Sequence, residues 1–267
     1  MLYFVSTPIG NLKDISYRAI ETLNEVDVIA CEDTRHSLKL LDHYGIKKQL
    51  ISYHKFNEKE RAEELISLLN DGKKVAVISD AGSPVISDPG NVLTSILRER
   101  GIDYTVIPGA TAFVPALILS GLNASRFTFI GFLPDKQKDC EKLLQSYKSA
   151  TETLIFYSAP HDVNRHLKWL YLAFGDRKVV AVKEITKLHE TVYSMSLSSA
   201  EIIEPKGEFV ILVEGATETN EKGFALTEKE HIDLYVSRGM TKKEAIKQVA
   251  KERGVSKNSL YKYTVED

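Results

Sequence analysis

Short apolar runs alternate with amphipathic segments through the first 120 residues, and the apolar runs end in loops of Gly, Pro and small polar residues. No other feature constrains the fold as strongly. Residues 2–6, 26–31, 50–53, 75–79 and 104–107 read as strands. The run VAVIS at 75–79 is apolar almost throughout, as in a strand covered on both faces of a parallel sheet. Helical patterns fall between the strands, over 16–25, 37–44, 58–71 and 93–100. In the clearest of them Ala62, Leu65, Ile66 and Leu69 share one face, and Gly72 ends the helix. Alternation of this kind predicts an α/β layer with a mainly parallel sheet. Such sheets gather ligands outside the carboxyl ends of their strands.

After Gly121 the pattern changes. Residues 127–131, 153–157, 178–182, 191–196 and 209–213 read as strands, with helices over 139–149 and 162–174. The expected architecture is therefore two α/β lobes, at residues 1–120 and 121–222, the second with a mixed sheet. A basic helical tail over 223–267 follows a polar linker at 215–223. The 43% hydrophobic and 27% charged residues, with a net charge of -2, fit a globular chain and argue against wholesale nucleic-acid coating. Ala112 to Leu119, the longest apolar stretch, is far short of the ~20 residues that cross a bilayer. No basic segment and apolar run mark an export signal, so a cytoplasmic protein without membrane contact is expected. Cys31 and Cys140 are isolated and the histidines are scattered, so neither a disulfide nor a metal site is expected.

Three loops stand at strand ends: 7–11, 79–90 and 108–112. In the second, Gly82 and Gly90 permit positive φ, Pro84 and Pro89 fix φ, and small residues let backbone approach a ligand. Asp88-Pro89 also fits a helix N-cap followed by proline. One such loop reads equally well as a tight connection; three in one layer predict a wide cleft. No G-x-G-x-x-G, P-loop or G-x-S-x-G elbow is present. Glu32–Arg35 reads either as a helix cap or as a cleft-facing set in which Arg35 meets phosphate. Residues 183–190 (KEITKLHE) place five ionisable groups between two strands. In the tail, residues 238–262 hold eight Lys/Arg and two Glu, a local charge of +6. Thr241-Lys242-Lys243-Glu244 is a capping box, and a Gly254 turn separates two short helices, as in a helix-turn-helix. Nucleic-acid contact is expected there.

The segments TPIGNL (7–12), ACEDTRH (30–36), SDAGSPVISDPG (79–90), PGATA (108–112), SGL (120–122), GFLP (131–134), KEITKLHE (183–190) and KGEFV (206–210) carry a resemblance. In order and spacing over residues 1 to about 215, they resemble the ribosomal RNA small subunit methyltransferase I family of the tetrapyrrole-methylase-like superfamily. The resemblance implies a homodimer that uses S-adenosyl-L-methionine for 2′-O-methylation of a cytidine ribose in 16S rRNA, within the small ribosomal subunit. It implies cofactor contacts at Pro8, Ile9, Asp80, Gly82, Ser83, Val85, Ile86, Thr111 and Ala112, closed over by Phe156, Tyr157, Gly207, Glu208 and Phe209. Where family members usually carry Glu and Arg around the Pro-His pair, this chain has Ser158 and Asp162.

Methyl transfer from a sulfonium is an in-line displacement, so the protein chiefly supplies position. A ribose hydroxyl is a weak acid and needs a base or a cation beside it. Asp80 and Glu184 are the favoured pair, with Lys183, Lys187 and Arg35 as cationic candidates; Asp80 also suits a turn-stabilising role. Two other readings remain open: a corrin-precursor or diphthamide-type acceptor, and a ligand sensor without catalysis whose tail binds DNA.

Overall fold

The computed structural model describes residues 1–202, 204–216, 226–253 and 255–264. The first sheet holds β1 (Leu2–Val5), β2 (Val28–Cys31), β3 (Gln49–Ser52), β4 (Val75–Ile78) and β5 (Tyr104–Ile107), in the order β3-β2-β4-β1-β5. Every pairing in it is parallel. Helices α1 (Tyr17–Glu25) and α2 (Thr34–His43) cover one face; α3 (Glu58–Asn70) and α4 (Asn91–Glu99) cover the other. Alternate residues of one strand serve opposite cores: Val75 and Val77 pack toward α3 and α4, Ala76 and Ile78 toward α1 and α2. A strand that feeds two cores has no polar face, which explains its unbroken apolar run.

Two helix starts differ from the sequence reading. Helix α2 begins at Thr34 because the Asp33 side chain caps it, accepting a hydrogen bond from the Arg35 N–H at 2.8 Å. Helix α4 is capped neither by Asp88 nor by any other side chain of its own segment. Its N-cap is Gly90, at φ 141°, and Glu58 reaches across from the start of α3. The Glu58 carboxylate accepts from the N–H groups of Gly90 (2.7 Å) and Val92 (3.1 Å) and from the Tyr53 hydroxyl (3.1 Å). Sequence reasoning failed here because the capping group lies some thirty residues away. Replacing Glu58 with alanine should orphan two helix donors and cost about 1–3 kcal/mol; urea unfolding of the variant measures it. Asp88 is thereby released from capping.

Helix α5 (Phe113–Ser120) follows β5, where the sequence reading assigned no element. It is apolar all round, so it lacks a helical period, and Pro115 is tolerated in its first turn. Gly121, at φ 63°, ends it in the left-handed conformation. The second sheet holds β6 (Phe127–Phe132), β7 (Thr153–Ser158), β8 (Lys178–Lys183), β9 (Thr191–Ser196) and β10 (Phe209–Val213), in the order β6-β7-β10-β8-β9. Only the β6–β7 pair is parallel, so the sheet is mixed, as expected. Helices α6 (Gln137–Gln145) and α7 (Val163–Phe174) complete this lobe.

Both sheets belong to one compact unit, residues 1–148 and 152–214; residues 149–151 and 215–267 form a second. In the second unit, α8 (Glu228–Ser237), α9 (Lys242–Arg253) and α10 (Lys257–Leu260) surround Ile232, Ala245, Ile246, Val249, Ala250 and Leu260. The capping box read at Thr241 is formed: the Thr241 N–H and hydroxyl both donate to the Glu244 carboxylate. Gly254, and residues 217–223 of the expected linker, lie outside the described residues. No helix among the described residues is long and apolar enough to cross a membrane.

Candidate active site

Strands β4, β1 and β5 are neighbours, so the three Gly/Pro loops that leave their carboxyl ends lie side by side. Hydrogen bonds lock them together. Thr7 and Gly82 exchange backbone bonds of 2.8 and 3.1 Å in an isolated bridge. The Ser6 and Ser83 hydroxyls meet at 2.8 Å, and Ser83 donates to the Ala110 carbonyl at 3.3 Å. Gly109 is needed for this closeness, since a Cβ there would stand 2.8 Å from Ser6 Cβ.

Between these loops and the second sheet lies a cavity of about 390 Å³. Of the residues expected at the cofactor, Ile9, Asp80, Gly82, Ser83, Ile86, Thr111, Ala112, Tyr157, Glu208 and Phe209 line it. Pro8, Val85, Phe156 and Gly207 do not. Phe156 is fully buried within β7, and Val85 packs on the first-sheet core. Of the five residues expected in chemistry, Asp80 and Lys187 line the cavity and Glu184, Lys183 and Arg35 do not. Lys183 ends β8 outside the lining. Arg35 projects into solvent, its side chain 87% exposed and paired with Asp33 at 2.7 Å. That hydrogen-bonded guanidinium holds the Asp33 carboxyl below its ordinary range.

Asp88 is the group that sequence reasoning placed elsewhere. It lines the cavity together with Ser87, Phe132, Ser158 and Pro160. Burial, then the negative charges of Glu32 and Asp80, push its carboxyl up to about 6, against the Ser79 hydroxyl. Burial and Asp80 likewise raise Glu32. Asp80 accepts from the Asp33 N–H at 3.1 Å, which ties this cluster to the start of α2. Asp80 and Asp88 carry negative charge on the cavity wall, and the lining cation Lys187 is bridged to two other carboxylates, so the wall suits a positively charged ligand. Tyr157, pushed up to about 12 mainly by burial, remains a neutral phenol there. Phe129 and Phe132 meet its ring edge-on, with centroids 5.0 and 5.5 Å away.

Opposite stands the loop after β8. Lys187 Nζ bridges Glu184 Oε1 at 2.9 Å and Glu208 Oε2 at 3.0 Å, and the Glu208 N–H donates to Glu184 at 2.9 Å. Burial disfavours the ionised Glu184, but the Glu208 N–H and the Lys187 ammonium outweigh it and hold the carboxyl below its ordinary range. Its charge is committed to placing Lys187. Among the described residues, every non-glycine with positive φ lies in the two loops flanking the cavity: Val85 (76°) and Ser87 (66°), Glu184 (53°) and Thr186 (65°). Such conformations cost about 1–3 kcal/mol each and persist where surrounding structure holds them, often at functional sites. Ser158 shares a buried 2.9 Å hydrogen bond with His166 Nδ1.

Comparison with known proteins agrees with this geometry. The family model for tetrapyrrole (corrin/porphyrin) methylases matches residues 1–201. A protein of Halalkalibacterium halodurans named ribosomal RNA small subunit methyltransferase I is 44% identical, over 97% of this chain and 93% of its own. The Bacillus subtilis protein of that name is 41% identical over 98% and 92%. The one from Thermotoga maritima is 42% identical over 98% of its own length but 80% of this chain. Among solved structures, the methyltransferase CobJ superposes with a TM-score of 0.63 at 19% identity, over 80% of this chain and 94% of its own. Diphthine synthase does so at 0.62 and 18%, over 81% and 90%; at these identities the likeness shows the fold alone. The chain thus belongs to the tetrapyrrole (corrin/porphyrin) methylases, in the branch of the ribosomal RNA small subunit methyltransferases I.

Proposed function

We propose that this protein transfers a methyl group from S-adenosyl-L-methionine to the 2′-oxygen of a cytidine ribose in 16S rRNA, in the cytoplasm and as a homodimer. The observation that carries the reading is the cavity itself: glycine and proline loops on one side, an apolar and aromatic wall on the other, and Asp80 and Asp88 as half-buried carboxylates whose one lining cation, Lys187, is bridged to Glu184 and Glu208. The bound cofactor would supply an electrophilic methyl on a sulfonium. Ile9, Ile86, Phe209 and Val210 would exclude water from it, and Asp88 and Asp80 would balance its positive charge. The names of the full-length relatives support ribosomal RNA as the acceptor.

Asp80, a carboxylate on the cavity wall, is the proposed acceptor of the ribose hydroxyl's proton. Lys187, held by Glu184 and Glu208, would lower the acidity barrier at that hydroxyl or hold an adjoining phosphate. Glu184 thus positions Lys187, and Arg35 at the rim is free to meet RNA beyond the pocket. The exposed apolar side chains of α5, Val114, Ile118 and Leu119, support pairing of two copies.

The test is methyl transfer from labelled S-adenosyl-L-methionine to rRNA and to small subunits from a strain lacking the gene, with the label located by mass spectrometry. A single ribose-methylated cytidine is the expected product. A base-methylated nucleotide, or transfer only to a small tetrapyrrole, would overturn the assignment.

A further inference from the structure

Helix α9 reads KKEAIKQVAKER, and its two faces are chemically opposed. Ala245, Ile246, Val249 and Ala250 pack inward. Lys243, Lys247 and Lys251, at successive spacings of four, all stand on the exposed side. Like charges at that spacing destabilise a helix. The acidic residues that would relieve them are engaged elsewhere. Glu244 closes the Thr241 cap, and Glu252 accepts from the Tyr235 hydroxyl at 2.7 Å and from Gln248 at 2.6 Å. Among the described residues Lys243, Lys247, Lys251 and Lys257 form no ion pair. The stripe therefore concentrates positive charge at a cost to its own helix, as a surface built for an anionic partner does.

A groove runs beside the stripe. Lys247, Lys251 and Lys257 line it with one carboxylate, Glu244, which is held in the Thr241 cap, and Met240 and Val255, both partly exposed, supply apolar surface within it. Ammonium groups flanking an apolar floor match a single-stranded nucleic acid, which presents phosphates and unstacked bases together. The comparisons separate this surface from the chemistry. The family model ends at residue 201, and the Thermotoga maritima relative, aligned over nearly its whole length, has no counterpart to a fifth of this chain. The stretch after residue 201 is the one part outside the family model, and it is long enough to be that fifth.

We propose that the lysine-edged groove of the second unit is a single-stranded RNA-binding site that adds affinity for the ribosomal RNA substrate without taking part in methyl transfer. The identity of that RNA rests on the function proposed above; the groove's preference for RNA does not. The test uses the full chain with Lys247→Gln, Lys251→Gln and Lys257→Gln together. Binding to protein-free 16S rRNA and to intact small subunits is followed across salt concentrations, with the cofactor's affinity as the check on folding. Loss of three phosphate contacts should weaken RNA binding roughly 10- to 100-fold at low salt and reduce the slope of log affinity against log salt by about 2. Cofactor affinity should stay at the wild-type value.

Unchanged RNA affinity and slope would overturn the proposal. So would weakened binding to subunits with unchanged binding to bare RNA, which would assign the groove to a ribosomal protein. A wild-type chain that binds RNA through these lysines and methylates none would instead refute the reading of the cavity and leave the groove standing.

Discussion

Replacing Asp88 with asparagine is expected to cost about 2–3 kcal/mol of cofactor binding, roughly two orders of magnitude in affinity, as when one partner of a partly desolvated charge pair is removed. The substitution keeps the shape, removes the charge and turns one acceptor oxygen into an NH2 donor. Because Glu58 and not Asp88 caps α4, the fold should survive, and unfolding by urea at neutral pH should show the empty variant no less stable than wild type. The pH dependence follows from the same carboxyl, which burial and its acidic neighbours push up to about 6. A cationic ligand binds the ionised form, so affinity should be full above pH 6 and fall as the pH drops through it. Stability of the empty protein should move oppositely. The folded carboxyl holds its proton more tightly than the unfolded one, so its unfavourable contribution is fully present above about 6. It is relieved as the pH falls from there toward the ordinary carboxylate range. Calorimetric titration near pH 6 should also register proton release on binding. An asparagine variant with wild-type affinity and a flat pH profile would remove Asp88 from the site.

Gly207→Ala is expected to damage both stability and turnover. Gly207 has φ 79°, and a Cβ there would stand 2.5 Å from the carboxylate end of Glu184. The backbone conformation alone costs an alanine about 1 kcal/mol or more. Glu184 would also have to leave the Glu208 N–H and release Lys187. Thermal unfolding should drop by several degrees, and methyl transfer should fall further than in Glu184→Gln, which keeps the contact distances. If Gly207→Ala retains wild-type turnover, the Glu184–Lys187–Glu208 bridge is irrelevant to catalysis.

Most of the first lobe was legible in the sequence because its signals are local. Val75–Ile78 is apolar throughout, and α3 carries a clean stripe of Ala62, Leu65, Ile66 and Leu69. The three cavity loops could be located because glycine and proline mark strand ends wherever they fold. Helix α5 was hidden by uniform hydrophobicity, which erases the period that identifies helices. The roles of Glu58, Asp88 and Glu184 were hidden for another reason. Each depends in part on a partner more than twenty residues away, Gly90 and Val92 for Glu58, Glu32 for Asp88 and Glu208 for Glu184, which no local pattern encodes. Of the fourteen cofactor residues that the resemblance implies, ten line the cavity, and Pro8, Val85, Phe156 and Gly207 lie outside its lining.

The position of β1 has a consequence for how the molecule comes into being. Leu2–Val5 is the interior strand between β4 and β5, in register with Val75–Val77 on one side and Tyr104–Ile107 on the other. Emerging from the translating ribosome, this segment has no hydrogen-bonding neighbour until some seventy residues later, and its second arrives only after a hundred. Removing residues 2–5 would thus detach β5 from the rest of the sheet. Affinity tags and fusions at that end should accordingly be joined through a spacer that leaves Leu2 undisturbed.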